Sequence, residues 1–206
     1  RRWLLQRARQ EPSDIETQRS LLQLQLGEGE LEAALDTVRR LQAIDSQLTR
    51  TDREQMARVL EWNNRPGEAM AAWRALYNDY GSSEAFQRTR ALASSLFRWD
   101  VLASMLAQEA AANRLQPEDY SLLSDALINI GDFEGAQRRL AEGLNRHPDA
   151  SSLRARKLTL LINSRRFPEA IELLERSESL TDTERLQLAN LYWRIREPDT
   201  ALAQLD

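Results

Sequence analysis

The sequence predicts an all-α protein of stacked antiparallel helix pairs. Two observations predict it: a self-similar frame along the chain, and six prolines that all fall where that frame puts helix ends. The segment Gly131-Asp132-Phe133-Glu134-Gly135-Ala136 aligns without gaps on Arg165-Arg166-Phe167-Pro168-Glu169-Ala170. Phe133 to Phe167 and Ala136 to Ala170 are both 34 residues apart. The same frame recurs at Gly29 to Ala34, Asn64 to Ala69 and Arg196 to Ala201, with a weaker copy at Phe97 to Leu102. Its anchor residues are Ala34, Ala69, Leu102, Ala136, Ala170 and Ala201, at spacings of 35, 33, 34, 34 and 31. A fixed period in this range signals a repeat architecture.

Each element follows from packing. Alanine at five of the six anchors lets two helices approach closely, and larger residues such as Tyr120, Leu123, Phe133 and Leu140 fill the space left over. One helix pair cannot bury its apolar face alone, so neighbours stack. The prolines agree. Pro12 and Pro148 fall between pairs, Pro117 opens a first helix, and Pro66, Pro168 and Pro198 begin second helices. None lies inside a helix, where it would cost about 3 kcal/mol or more.

The residues from Pro117 to Pro148 fit best a pattern that resembles the tetratricopeptide repeat. Tyr120, Leu123, Ser124, Gly131, Phe133, Ala136, Leu140, Gly143 and Pro148 stand where that repeat places its large, small, glycine and proline residues. The resemblance implies a right-handed superhelical solenoid. It gives repeats at 15–49, 50–82, 83–116, 117–150 and 151–181, with the second helix of a cut repeat at 1–14 and a partial repeat at 182–206. Neither end reads as a polar cap, so the array is expected to be truncated at both ends. Arg90, Leu102, Lys157 and Leu158 depart from the pattern and blur the register of the third and fifth repeats.

Composition excludes several function classes. The chain has 206 residues, 42% of them hydrophobic and 29% charged, and a net charge of −4. That balance disfavours a nucleic-acid surface, because phosphate binding rests on basic side chains. No run approaches the roughly 18 apolar residues that span a bilayer. Cysteine is absent, which removes disulfides, thiolate metal sites and thiol nucleophiles together. The single histidine, His147, has no second histidine to join it at a metal. Neither a phosphate-cradling glycine loop nor a converging acid pair stands out from the solvated helix faces. The reading is of a non-catalytic protein without cofactor or metal.

In the tetratricopeptide family the first helices line a concave groove that holds partners. Carried onto this sequence, the lining is Arg19 and Gln23, then Glu54, Arg58, Glu61 and Trp62, then Glu118, Asp125 and Asn129. Thr159 and Asn163, then Asn190, Trp193 and Arg194, complete it. Trp62 and Trp193 stand out, because aromatics beside arginine are the usual composition of binding hot spots. Trp73 and Trp99 fall at core positions instead. A basic clamp for a terminal carboxylate is not recognisable, since Glu54 stands where a basic residue would.

The run Arg58-Val59-Leu60-Glu61-Trp62-Asn63-Asn64-Arg65-Pro66-Gly67-Glu68-Ala69, followed by Trp73, resembles repeats of Pel-type exopolysaccharide export proteins. In these a periplasmic solenoid precedes a β-barrel in the outer membrane. That resemblance implies a periplasmic scaffold that recruits a polysaccharide deacetylase or hydrolase and guides polymer to the pore. An acidic lining would suit a cationic polymer. The competing reading is a tetratricopeptide adaptor of another bacterial assembly or secretion pathway.

Overall fold

A computed structural model describes residues 2–44, 46, 48–177 and 179–205. Among them there are thirteen α-helices and no strand. Contacts divide the chain into two compact units, Arg1–Arg98 and Trp99–Asp206. The first holds α1 (Arg2–Gln10), α2 (Ile15–Gly27), α3 (Leu31–Gln42), α4 (Arg50–Trp62), α5 (Pro66–Tyr80) and α6 (Ser83–Ser95). The second holds α7 (Trp99–Ala111), α8 (Pro117–Asn129), α9 (Phe133–Arg146), α10 (Ser151–Asn163), α11 (Phe167–Glu175), α12 (Asp182–Arg194) and α13 (Pro198–Ala203).

The helices alternate in character. The six first helices, α2, α4, α6, α8, α10 and α12, are each 13 residues long. The helices that follow them vary, from 9 residues in α11 to 15 in α5 among those before α13. Every first helix ends in the same turn. One residue adopts positive φ: Gly29, Asn64, Phe97, Gly131, Arg165 or Arg196. The next N–H then reaches back five residues, as from Glu30 to the Gln25 carbonyl at 2.8 Å and from Asp132 to that of Leu127 at 2.9 Å. This satisfies carbonyls that would otherwise lack a partner at the helix end. Four of the six left-handed residues are not glycine, and three of these, Phe97, Arg165 and Arg196, are residues that disfavour that region.

Starts are equally explicit. Pro66, Pro117, Pro168 and Pro198 occupy the first turn of their helices, where a missing N–H costs nothing. Thr49 and Thr181 form reciprocal capping boxes with Asp52 and Glu184.

The anchor residues all lie in the core. Ala34, Ala69, Leu102, Ala136 and Ala170 are fully buried and Ala201 nearly so. In the first unit, Leu22, Val38, Leu41, Met56 and Val59 pack around Ala34, and Trp73 is fully buried farther along. In the second, Leu161, Ile171, Leu174, Leu188 and Tyr192 surround Ala170 and Ala201. Two core expectations need correction. Phe133, placed among the space-filling residues, is largely exposed, and Trp99 is only half-buried. In α10 the departure from the family pattern is accommodated locally: Leu158 is buried and Lys157 lies at the margin.

Candidate functional site

The predicted lining residues lie on first helices, but on both units. Arg19, Gln23, Glu54, Arg58, Glu61 and Trp62 belong to α2 and α4 of the first. Glu118, Asp125, Asn129, Thr159, Asn163, Asn190, Trp193 and Arg194 belong to α8, α10 and α12 of the second.

In the first unit, side chains stitch one first helix to the next. Arg19 donates from Nε to Asp52 Oδ1 at 2.8 Å and from a terminal nitrogen to Asp52 Oδ2, and it also pairs with Glu16. Gln23 Nε2 donates to Gln55 at 3.1 Å. Asp52 is buried, which pushes its carboxyl up. The hydrogen bonds from Arg19 and Thr49 outweigh that burial and hold it below the usual aspartate value. The Arg19 guanidinium is correspondingly held in its charged form, chiefly by its hydrogen bond to Asp52. Both partners are thus engaged within the protein.

The acids expected to line a groove are engaged too. Glu54 pairs with Arg50 at 2.7 Å. Glu61 accepts from the indole N–H of buried Trp73 and pairs with Arg88 of α6 at 3.3 Å. Arg58 forks onto Glu84 at 3.0 and 3.1 Å. Trp62, by contrast, is 55% exposed at the end of α4.

The second unit repeats the arrangement with other residues. Asp125 of α8 pairs with Arg156 of α10. Arg154 of α10 donates to Glu184 of α12 at 3.0 Å. The hydrogen bonds from Thr181 hold Glu184 low, against its partial burial, and Arg154 adds to that. Asn129, Thr159 and Asn190 bond back to the carbonyls of Asp125, Ala155 and Leu186, each four residues earlier on its own helix. Glu118 and Asn163 are exposed. Trp193 is 66% exposed, and the guanidinium of Arg194 lies over the ring of Phe167. His147 is half-buried against Tyr120, with ring centroids 6.1 Å apart.

Sequence reading missed Arg88 and Arg156, which neutralise Glu61 and Asp125. Both are the sixth residue of their helices, so an arginine recurring at one place in the frame was the available signal. Among the described residues no three His, Asp or Glu side chains gather as metal ligands. None of their helices is long and apolar enough to cross a membrane.

No protein-family model matches the sequence, and no curated protein matches it either. Solved structures do. A chain of the Naa15/Naa10 complex bound to HypK-THB superposes over 98% of this chain with a TM-score of 0.74 at 15% identity. The fold is that of the tetratricopeptide repeat. YrrB, a tetratricopeptide protein with an unusual peptide-binding site, matches 80% of this chain and 88% of its own, with a TM-score of 0.52 at 15% identity. The C-terminal part of a tetratricopeptide repeat protein from Cytophaga hutchinsonii matches 72% of this chain, with a TM-score of 0.52 at 19% identity. This chain spans 60% of that Cytophaga chain and 32% of the Naa15/Naa10 chain. At these identities the likeness concerns the tetratricopeptide fold alone.

Proposed function

We propose that the protein is a non-catalytic scaffold that binds a protein or peptide partner along its first helices. One observation carries this reading: Trp62 and Trp193 close two first helices with most of their surface in water. A tryptophan left exposed costs hydrophobic stabilisation that an occluding partner would recover. The peptide-binding site that YrrB is known by supports the same use of the fold.

The finer reading is the periplasmic region of a Pel-type export protein, recruiting a polysaccharide-modifying enzyme. It rests on the Arg58 to Trp73 segment and on a cysteine-free chain in which Lys157 is the single lysine. A protein partner is favoured over a cationic polymer. The carboxylates that would attract such a polymer, Glu54, Glu61 and Asp125, each already face an arginine.

The test uses the protein as bait in a periplasmic extract of a biofilm-forming Gram-negative bacterium, with partners identified by mass spectrometry. A polysaccharide deacetylase or hydrolase recovered by the wild type, and lost from Arg58→Ala/Trp62→Ala/Trp193→Ala, is the expected result. Partners retained by that variant overturn the site. Recovery of a different partner, still dependent on the tryptophans, keeps the scaffold and favours an adaptor of another assembly pathway.

A further inference from the structure

Phe133 and Phe167 open consecutive second helices at the same place in the frame, yet their rings are covered differently. The guanidinium carbon of Arg194, in the last turn of α12, lies 5.6 Å from the centroid of Phe167, within cation–π range. Phe167 is half-buried and also packs against the core around Ala170 and Ala201. The residue of α10 that corresponds to Arg194 is Asn163, the thirteenth of its helix as Arg194 is of α12. Asparagine has neither the length nor the charge to repeat the contact, and Phe133 is 55% exposed. Beside it lies a pocket of about 260 Å³, lined by Ile128, Phe133 and Leu160 with Arg156, Thr159 and Asn163.

Electrostatics select what fits. Ile128 belongs to the last turn of α8, and Leu160 and Asn163 to the last turn of α10. The C-terminal ends of helices carry partial negative charge and favour a cation. In α12 that cation is Arg194, whereas α8 and α10 have no basic residue in their last turns. Arg156 is also part of the lining, but its charge is met by Asp125. The result is an open aromatic face beside two helices that have no basic residue in their last turns.

We propose that this pocket takes an arginine side chain of a bound polypeptide, its guanidinium lying over Phe133 as that of Arg194 lies over Phe167. The inference rests on the scaffold reading above and gives the partner a chemistry: an arginine-bearing segment. Lysine is the poorer fit, because a compact, strongly hydrated ammonium does not stack as a planar guanidinium does.

The experiment is an NMR titration of the ¹⁵N-labelled chain with N-acetyl-arginine amide, run beside N-acetyl-lysine amide and N-acetyl-leucine amide. The arginine probe is expected to shift the amides around Phe133 and Asn163 more than either other probe. The response is expected to vanish in Phe133→Ala, which removes the ring, and in Asn163→Arg, which supplies a resident guanidinium. An unchanged spectrum elsewhere shows that each variant is folded. An equal or larger response to the leucine probe, no response at these amides, or persistence in both variants overturns the proposal. Tryptophan-dependent capture of a partner that survives such a failure leaves the scaffold standing and removes only the pocket. Probe binding at Phe133 without any such capture keeps the pocket and removes the scaffold.

Discussion

Gly143 of α9 lies directly against the ring of Tyr120 in α8: a methyl group on its Cα would sit 2.8 Å from Tyr120 Cγ and 3.1 Å from Leu153 Cδ1. Tyr120 is fully buried, so the ring has no open space to move into. Gly143→Ala is therefore expected to destabilise the protein. The overpacking cost of roughly 1–3 kcal/mol exceeds the gain of about 0.5–1 kcal/mol from replacing a helical glycine. Urea unfolding of the two proteins checks it, and a midpoint raised by the substitution would refute the close approach.

Arg165 holds φ at 57° in the turn between α10 and α11. Its side chain is exposed, so glycine there loses little contact and relieves the left-handed strain. Arg165→Gly should stabilise by about 0.5–1 kcal/mol. The control is Arg185→Gly, at an exposed site inside α12, which should cost a similar amount. Thermal melts that move in the same direction for both variants would contradict the assigned turn.

Asp52 ties α4 to α2 through Arg19 while capping its own helix through Thr49. Replacing it with asparagine removes charge-assisted bonds at a buried site, and a loss on the order of 1–3 kcal/mol at neutral pH is expected. The pH dependence has a definite sign. The folded carboxyl titrates below its unfolded value of about 4, so its contribution is fully present above that pH. It disappears as pH falls through the lower, folded value. Stability curves for wild type and Asp52→Asn should therefore run parallel near neutrality and converge below about pH 4. A gap that stays constant into strong acid would rule out the ion pair as its source.

Trp62 and Trp193 are exposed, so neither should matter much to folding. Trp62→Ala and Trp193→Ala are each expected to change stability by no more than about 0.5 kcal/mol while reducing partner capture. Equilibrium unfolding beside the binding assay separates the two roles. A large stability loss would make these residues packing elements instead of anchors.

The fold was readable because it depends on residues whose size is the constraint. Ala34, Ala69, Ala136 and Ala170 recur in one frame and are all fully buried, with Leu102 taking the same place once. The prolines were equally informative, since a missing N–H is tolerated at few places in a helix. The electrostatics were not readable. Arg88 and Arg156 each had several acids within reach of a long, flexible side chain, and only the packing of one first helix beside the next selects Glu61 and Asp125. The exposure of Phe133 was not readable for a related reason. How far a ring at the start of a second helix is covered depends on its tertiary neighbours: Phe167 packs against the core around Ala170 and lies under Arg194, whereas Phe133 shares an open pocket with Asn163.

The six first helices of equal length, each closed by the same three-residue turn, make that half of every pair a fixed-length module. Change in chain length can be accommodated only on the other side, in the tails of the second helices and the connectors behind them. An extra residue between Gln42 and Arg50, or between Glu175 and Asp182, would leave every alanine contact in phase. The same residue inserted within α8 would rotate everything beyond it by about 100° about the helix axis and turn Leu123 or Ala126 away from the core. Tags, labels or whole domains spliced into the chain should be tolerated at the connectors and nowhere within the modules.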